Sequence, residues 1–530
     1  MSVRRLEVRK ENYRDSITML RISNELGKLE GVTQAAAVMG TQLNRKILKD
    51  LGFSGPDVES AKADDMIIAI EANEQKFVDR AFGRANELLS TTSSAGVLAK
   101  PLPKSLEAAI AQTPDANMVV ISVPGQFAKR EAQKALTSGL NVFLFSSNVS
   151  VEDELELKQL ALSRNLLIMG PDCGTSIINN TVLGFGNVLH SGPVGIVSAS
   201  GTGLQQVSTL LDSAGIGVSH GIGTGGNDVS DKVGGLMMMK GIELLDHDPS
   251  TKVIVLISKP PGERTARKVL EVASGCSKPV IVNFLGLKEH SEAGTSCTFA
   301  LTLDEAAAIA AKKIEEIGTY AKIDSNGKRP LIDENIIVSE SLRLSPSQRY
   351  VRGLYSGGTL CYEAQVVMRP MLGEIRSNVP LVKAMRIAGD QDFPEGHLCI
   401  DMGAEEFVVG RAHPMIDYTL RKLRIMGEAK KRTVAVILLD VLLGYGSNPD
   451  PASELVPVIA EAKNLAEQDG RYLSFVASII GTNGDPQGLE RQTRMLRDAR
   501  VVLEPSNAAA ARSAARIALR GMAQEVSVRA

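Results

Sequence analysis

Short, unbroken apolar runs recur along the chain: 118–123 (MVVISV), 194–197, 253–257, 280–284 and 434–440 (VAVILLD). Apolar runs without alternation belong to strands buried on both faces, as in parallel sheets covered by helices. Stretches with helical spacing lie between them, at 129–138, 152–164, 200–211, 264–273 and 303–314. Strand–helix alternation of this kind predicts an α/β protein with parallel sheets and right-handed crossovers.

The chain has 530 residues, enough for three or four domains. Residues 1–95 read as a small α+β domain, with strands at 3–8, 35–39 and 66–70 and helices at 16–26, 41–51 and 74–89. The run STTSSA at 90–95 reads as a linker. Residues 100–190 read as a Rossmann-like β-α-β-α-β unit ending at the Gly170-Pro171-Asp172-Cys173-Gly174 turn. Residues 192–318 and 350–528 read as two copies of one flavodoxin-like unit, joined by a polar linker at 319–349. The copies share an order of features: a strand and glycine turn opening a helix, then the apolar strands 253–257 and 280–284 in one, 434–440 and 473–480 in the other.

Formal net charge is −2, so no broad positive field exists to gather nucleic acid or an anionic membrane. Aromatics are 4% and Trp is absent, which argues against base-stacking platforms. The five cysteines are odd in number, widely spaced and without a C-x-x-C, a pattern of reduced thiols in a cytoplasmic protein. The opening MSVRRLEVRKENYRDS lacks the apolar core of a signal peptide, and no apolar run approaches the roughly 20 residues that span a bilayer.

The strongest chemical signal is the SASGTG turn that opens a helix at Ser200. The first amides of a helix have no intrahelical partner, and the helix dipole adds partial positive charge there. Gly201 and Gly203 clear room for an anion, and Ser200 and Thr202 add hydroxyls; a phosphate or carboxylate fits, and so does a plain capped turn. A nucleophile elbow is excluded because Ser198 stands where G-x-S-x-G needs glycine, and a dinucleotide fingerprint because Gln206 stands at its third glycine. The turn at Gly357, Gly358 and Thr359 repeats the chemistry, so two helix starts in paired units are expected to face one shared anion.

Further candidates sit at strand ends. The glycine loop containing Gly225 and Gly226 can line a site with backbone donors, or be a mobile loop. Lys259, just after a strand, can neutralise a phosphate, or simply be an exposed lysine before a rigid turn. Arg411 can grip an anion in two places and His413 can carry a proton, with Asp417 to orient it; a structural histidine is the alternative. Asp440, ending VAVILLD, is a candidate Mg²⁺ ligand with Asp450 second. The turn GTNGDPQ at 481–487 can add donors to the same mouth or serve as a loop.

The stretches IMGPDCGTSIINN (168–180) and GIVSASGTG (195–203) resemble the succinyl-CoA synthetase α subunit. Together with SKPP, LYSGGTL, VGRAHPMID, LLDVLLGYG and GTNGDPQ they resemble more closely the fdrA family of acyl-CoA synthetase-like proteins, over nearly the whole chain. The resemblance implies a Rossmann-like CoA-binding-type domain and two ligase-type domains. It also implies substrate or cofactor binding at Asp172, CoA as cofactor, companion subunits, and an oligomer acting on an anionic small molecule. It further implies a link to an oxamate carbamoyltransferase of anaerobic allantoin and purine nitrogen use, converting oxalurate and phosphate to oxamate and carbamoyl phosphate. A non-catalytic scaffold is the remaining alternative. The chain departs from the synthetase in three places. His290, in Glu289-His290-Ser291, does not match the phosphohistidine loop, Ser258-Lys259 stands where the synthetase carries the acid that supports that histidine, and no glycine-rich CoA loop precedes residue 50.

Overall fold

Alternation decides the first sheet. In the computed structural model, which describes residues 2–91, 103–287, 297–318, 333–389, 391–392 and 395–529, strands β1 (Val3–Arg9), β2 (Val32–Met39) and β3 (Met66–Ala72) form an antiparallel sheet in the order β1-β3-β2. The central β3 sends Ile68 and Ile70 to one face, against Ile22, Leu26, Val78 and Phe82 of helices Ser16–Gly27 and Gln75–Thr91. It sends Ile67 and Ala69 to the other, against Leu48, Phe53 and Val58. Asp15 and Thr41 cap helices Ser16–Gly27 and Gln42–Asp50 by accepting from the Thr18 and Asn44 amides.

This sheet belongs to one of two compact units, Met1–Lys104 together with Gly403–Asp417; the other is Ser105–Met402 with Tyr418–Ala530. That the excursion 403–417 belongs with the N-terminal residues has no counterpart in the sequence reading.

The larger unit holds three sheets. Strands β4 (Met118–Ile121), β5 (Asn141–Leu144) and β6 (Ile168–Met169) are parallel in that order. Contrary to expectation, β4 is not buried on both faces: it is the edge strand, and Val120 is 60% exposed. A seven-stranded sheet follows from β7 (Thr175–Ile178), β8 (Thr181–Gly184), β9 (Ser191–Ser198), β10 (Val218–Gly223), β11 (Val253–Ser258), β12 (Val280–Phe284) and β13 (Thr298–Phe299), ordered β13-β12-β11-β9-β10-β7-β8. The β7–β8 hairpin turns at Asn179 and Asn180, both with positive φ, as a tight hairpin requires. The third sheet is β14 (Tyr350–Tyr355), β15 (Ile375–Ser377), β16 (His397–Asp401), β17 (Val434–Leu442), β18 (Ser474–Ile480) and β19 (Val502–Glu504), ordered β15-β16-β14-β17-β18-β19.

The internal repeat is visible in the pairing. In one half β9 lies between β10 and β11, with β12 beyond; in the other β14 lies between β16 and β17, with β18 beyond, all parallel. Strands β11 and β17 are buried along their whole length. Each half places the C-terminal end of its central strand at a helix start, which is where open α/β sheets bind ligands.

Two expectations are corrected. Gly221-Ile222-Gly223 is the end of β10, so only the residues after it form a loop. The stretch 319–349 is described from 333, and there it carries a packed helix, Glu334–Leu342, whose Glu340 accepts hydrogen bonds from Tyr472 and Ser474. His290 and residues 92–95 of the first linker lie outside the described residues.

Candidate functional site: two helix starts in contact

Strand β9 ends at Ser198, and helix Gly201–Ser213 begins two residues later. Ser200 is its N-cap: Oγ accepts from the Gly203 amide at 2.8 Å, and the Ser200 carbonyl accepts from the Leu204 amide. The Gly201 and Thr202 amides are left as the orphan donors of this first turn. In the other half β14 ends at Tyr355, and helix Gly358–Leu372 begins at Gly357, an N-cap without a side chain to cap with. Its first-turn donors are the amides of Gly358, Thr359 and Leu360.

The two openings meet. Ser200 Oγ donates to Thr359 Oγ1 at 2.7 Å, across 159 residues of sequence, and both hydroxyls are buried. Approach is so close that a Cβ on Gly357 would sit 2.8 Å from Thr202 Cγ2, which is why this position carries glycine. A Cβ on Gly358 would lie 3.3 Å from Lys259 Nζ and 2.4 Å from Asp401 Oδ2. The structure therefore brings together Ser200, Gly201, Thr202, Gly203, Gly357, Gly358, Thr359 and Lys259 from the sequence reading, and adds Asp401, the last residue of β16. An exposed ammonium, partial positive charge from two helix dipoles and one carboxylate share this mouth.

Asp440 is not poised for a metal. It is fully buried; its carboxylate accepts from the Ser356 amide at 2.9 and 3.0 Å and from the Gly357 amide at 2.9 Å, and it pairs with the fully buried Arg421. Arg421 also donates to Ser356 Oγ at 3.0 Å and to the Leu354 carbonyl at 2.8 Å. The pair thus sets the turn before the second helix. Asp450 is likewise engaged, with Arg491 at 2.6 Å and with Ser453 and Gln492; these partners hold it down to about 2 against the opposing effect of burial. Among the described residues no group of three or more His, Cys, Asp or Glu is placed to hold a metal ion.

Arg411 and His413 fall in the N-terminal unit. There Arg411 donates to Asn44 Oδ1 at 3.1 Å and to Asp417 Oδ2 at 2.9 Å, while Asn44 donates to the Gly410 carbonyl at 3.2 Å. His413 accepts from the Met415 amide at 3.2 Å, and burial holds it down to about 4, so it is neutral near pH 7. Arg411 is thus committed to Asn44 and Asp417 rather than open to an anion, and the bonds of His413 to Met415, Ile416 and Asp417 stay within the 403–417 excursion rather than at the helix starts. The 481–487 turn is a clamp between the halves: Asp485 accepts from Asn187 Nδ2 at 2.7 Å and from the Val188 amide at 2.8 Å.

A second mouth opens at the strand ends of β4–β6. Helix Gly125–Thr137 starts there without a side-chain cap, packed onto the carbonyls of Ser147 and Asn148. The Ser146 hydroxyl is buried, without a hydrogen-bond partner among the described residues. Asp172, at φ 54°, donates its amide to the Ser146 carbonyl at 3.0 Å. A Cβ on Gly225 would sit 2.2 Å from the Pro171 carbonyl oxygen and one on Gly226 4.0 Å from that of Ala199, so Asp172, Gly225 and Gly226 lie between this mouth and the first helix start. The residue that fixes this loop is one that no motif marks. Lys158, fully buried, donates to Glu154 at 2.6 Å, Asp228 at 2.9 Å and the Thr224 carbonyl at 2.9 Å. Only the Glu154–Lys158 spacing of four on a helix hinted at it.

Residues 1–101 match the family model of the AllF heavy metal-associated domain, residues 191–322 that of the succinyl-CoA ligase like flavodoxin domain, and residues 354–517 that of the CoA-ligase domain. The chain is 42% identical over 507 residues to the uncharacterized protein YahF of Escherichia coli (strain K12), covering 96% of this chain and 97% of that protein. It is 32% identical over 195 residues to the succinate–CoA ligase (ADP-forming) subunit alpha 2 of Archaeoglobus fulgidus, 36% of this chain and 66% of that one. ATP citrate lyase from Methanothrix soehngenii, solved with citrate and coenzyme A, aligns with a TM-score of 0.36 at 17% identity over 45% of this chain and 46% of that one. The heavy metal-associated match is to a named family only: positions 1–101 contain neither Cys nor His, and Met19, Met39 and Met66, thioethers that a soft metal could take, are buried in the core of the sheet.

Proposed function

This chain belongs to the same family as YahF and is a succinyl-CoA-ligase-like protein, and on that premise we propose that its paired helix starts hold the phosphoryl end of an acyl phosphate exchanged with a CoA thioester. The observation that carries this reading is the 2.7 Å contact between Ser200 and Thr359, which puts two sets of unpaired amides and Lys259 around one place. A dianionic guest there is favoured by both helix dipoles and by the ammonium, and preorganised donors stabilise charge that develops in the reaction without having to reorient.

In the thioester-to-phosphate direction, a phosphate oxygen held at the helix starts attacks the thioester carbonyl carbon. The C–S bond breaks, the sulfur leaves as the thiol of CoA after taking a proton, and an acyl phosphate remains. The strand-end mouth around Ser146, Asp172 and Gly225 is the place for CoA, supported by its uncapped helix start and unpartnered buried hydroxyl. CoA would supply the thiol; the chain's residues bind and orient.

The test is release of CoA thiol from a panel of acyl-CoA thioesters on addition of phosphate, with acetyl phosphate and carbamoyl phosphate as guests in the reverse direction. Thiol release that drops at least tenfold in Lys259→Met and in Gly357→Val supports the reading. Carbamoyl phosphate used in preference to acyl phosphates would assign the guest to the carbamoyl class. No phosphate-dependent release with any thioester, and no turnover of either guest, would overturn it.

A further inference from the structure

Aligning Gly201-Thr202 with Gly358-Thr359 places Gln206 opposite Glu363, each five residues into its helix. Both reach the same residue. Gln206 Oε1 accepts from the Asn507 amide at 3.1 Å, and Glu363 Oε2 accepts from Asn507 Nδ2 at 2.8 Å. Glu363 Oε1 accepts from the Leu303 amide at 2.6 Å, and Asn507 Nδ2 also donates to the Leu360 carbonyl at 2.9 Å. Asn507 begins helix Asn507–Arg529 and Leu303 begins helix Leu303–Ile317, so one buried polar cluster ties four helices directly behind the two helix starts. Gln206, Glu363 and Asn507 are all buried.

Glu363 lies one turn below Thr359 on the same face, about 6 Å away between Cβ atoms, and helical side chains lean back toward the N-terminus. Its carboxylate is therefore a like charge beneath any anion held at the helix starts. The charged groups facing it from neighbouring elements, Asp304 and Arg512, are paired with one another at 2.9 Å, and the phenol of Tyr355 faces it from β14. No dedicated cation neutralises Glu363 among these neighbours; amides and an Asn side chain hold it.

We propose that Glu363 couples anion binding at the paired helix starts to the uptake of a proton, so that a dianion enters with its counter-proton. The proposal rests on the anion-holding reading of those helix starts. Burial pushes Glu363 up to about 7, so near neutrality part of the population is ionised and able to take a proton when a guest arrives. Binding then strengthens as pH falls from 8 to 6, because the proton and the anion favour one another reciprocally.

The probe is sulfate, which does not itself titrate near neutrality. Calorimetry at pH 7 in two buffers of different ionisation enthalpy should show uptake of about half a proton per sulfate bound. Glu363→Gln should bind sulfate with no proton uptake and a flat affinity profile between pH 6 and 8, its thermal unfolding confirming an intact fold. Difference infrared spectra of the wild-type chain should show a protonated carboxyl band growing on sulfate addition, which keeps the test open if the variant does not fold. Sulfate binding without proton uptake, or uptake unchanged in Glu363→Gln, overturns the proposal and leaves the anion site standing. No sulfate binding at any pH overturns both.

Discussion

At the scale of single residues, the second helix start depends on a buried pair that sequence alone assigns wrongly. Asp440 reads as a carboxylate waiting at a strand end. In the fold its amide partners lie 83 and 84 residues away and its cation, Arg421, 19 residues away, so nothing local to VAVILLD reveals them. Ser200, Gly357 and Thr359 are legible as helix starts because that chemistry is written in consecutive residues, and Lys259 is legible only from its place just after a strand. The partner that engages Arg411, Asn44, is more than 360 residues away, so no local pattern reveals it. Asp440→Ala removes one partner of a fully buried ion pair and strands Arg421, so it should cost about 3–5 kcal/mol in denaturant unfolding. A loss below about 1 kcal/mol would mean that the pair does not set the turn.

At the scale of elements, apolar runs identify β9, β11, β12, β17 and β18, because strands buried on both faces need no alternation, whereas β14, which carries Arg352, is marked only by the glycine turn that follows it. Short and edge elements are harder. The short β15 and β16 escaped notice, and β4 was taken as central because its apolar sequence matches a buried strand although its outer edge is open. The β7–β8 hairpin went unseen despite Asn179-Asn180, a pair suited to positive φ. The equivalence of the two helix starts followed from the order of strands and turns, and the contact between them did not. It depends on how the halves pack, through Asp485 on Asn187 and through the cluster around Asn507, and such long-range pairs leave no periodic trace.

At the scale of the whole molecule, neutral buried histidines set the response to acid. Burial holds both His397 and His413 down to about 4, against 6.5 for an unburied imidazole. As pH falls below 6.5 the unfolded chain takes up protons that the folded chain refuses, so stability is lost progressively between about 6.5 and 4. Glu363, Asp485 and Glu504 act in the opposite sense, since burial raises all three carboxyls and so favours the fold most where they are protonated. Each histidine is worth roughly 1–3 kcal/mol at the acid end. Between pH 6.5 and 4.5, His413→Gln should therefore lose less stability in urea unfolding, or gain more, than the wild type does over the same range; an unchanged pH dependence would place no acid sensitivity on His413.

The central claim is that two helix starts, one from each half, hold a single anion, and a crystal soaked in tungstate reads it directly. The account predicts one anomalous peak within hydrogen-bond distance of the Gly358 amide and near Lys259 Nζ, opposite the Gly201–Thr202 amides. Density that leaves this place empty while tungstate binds elsewhere on the chain would contradict it.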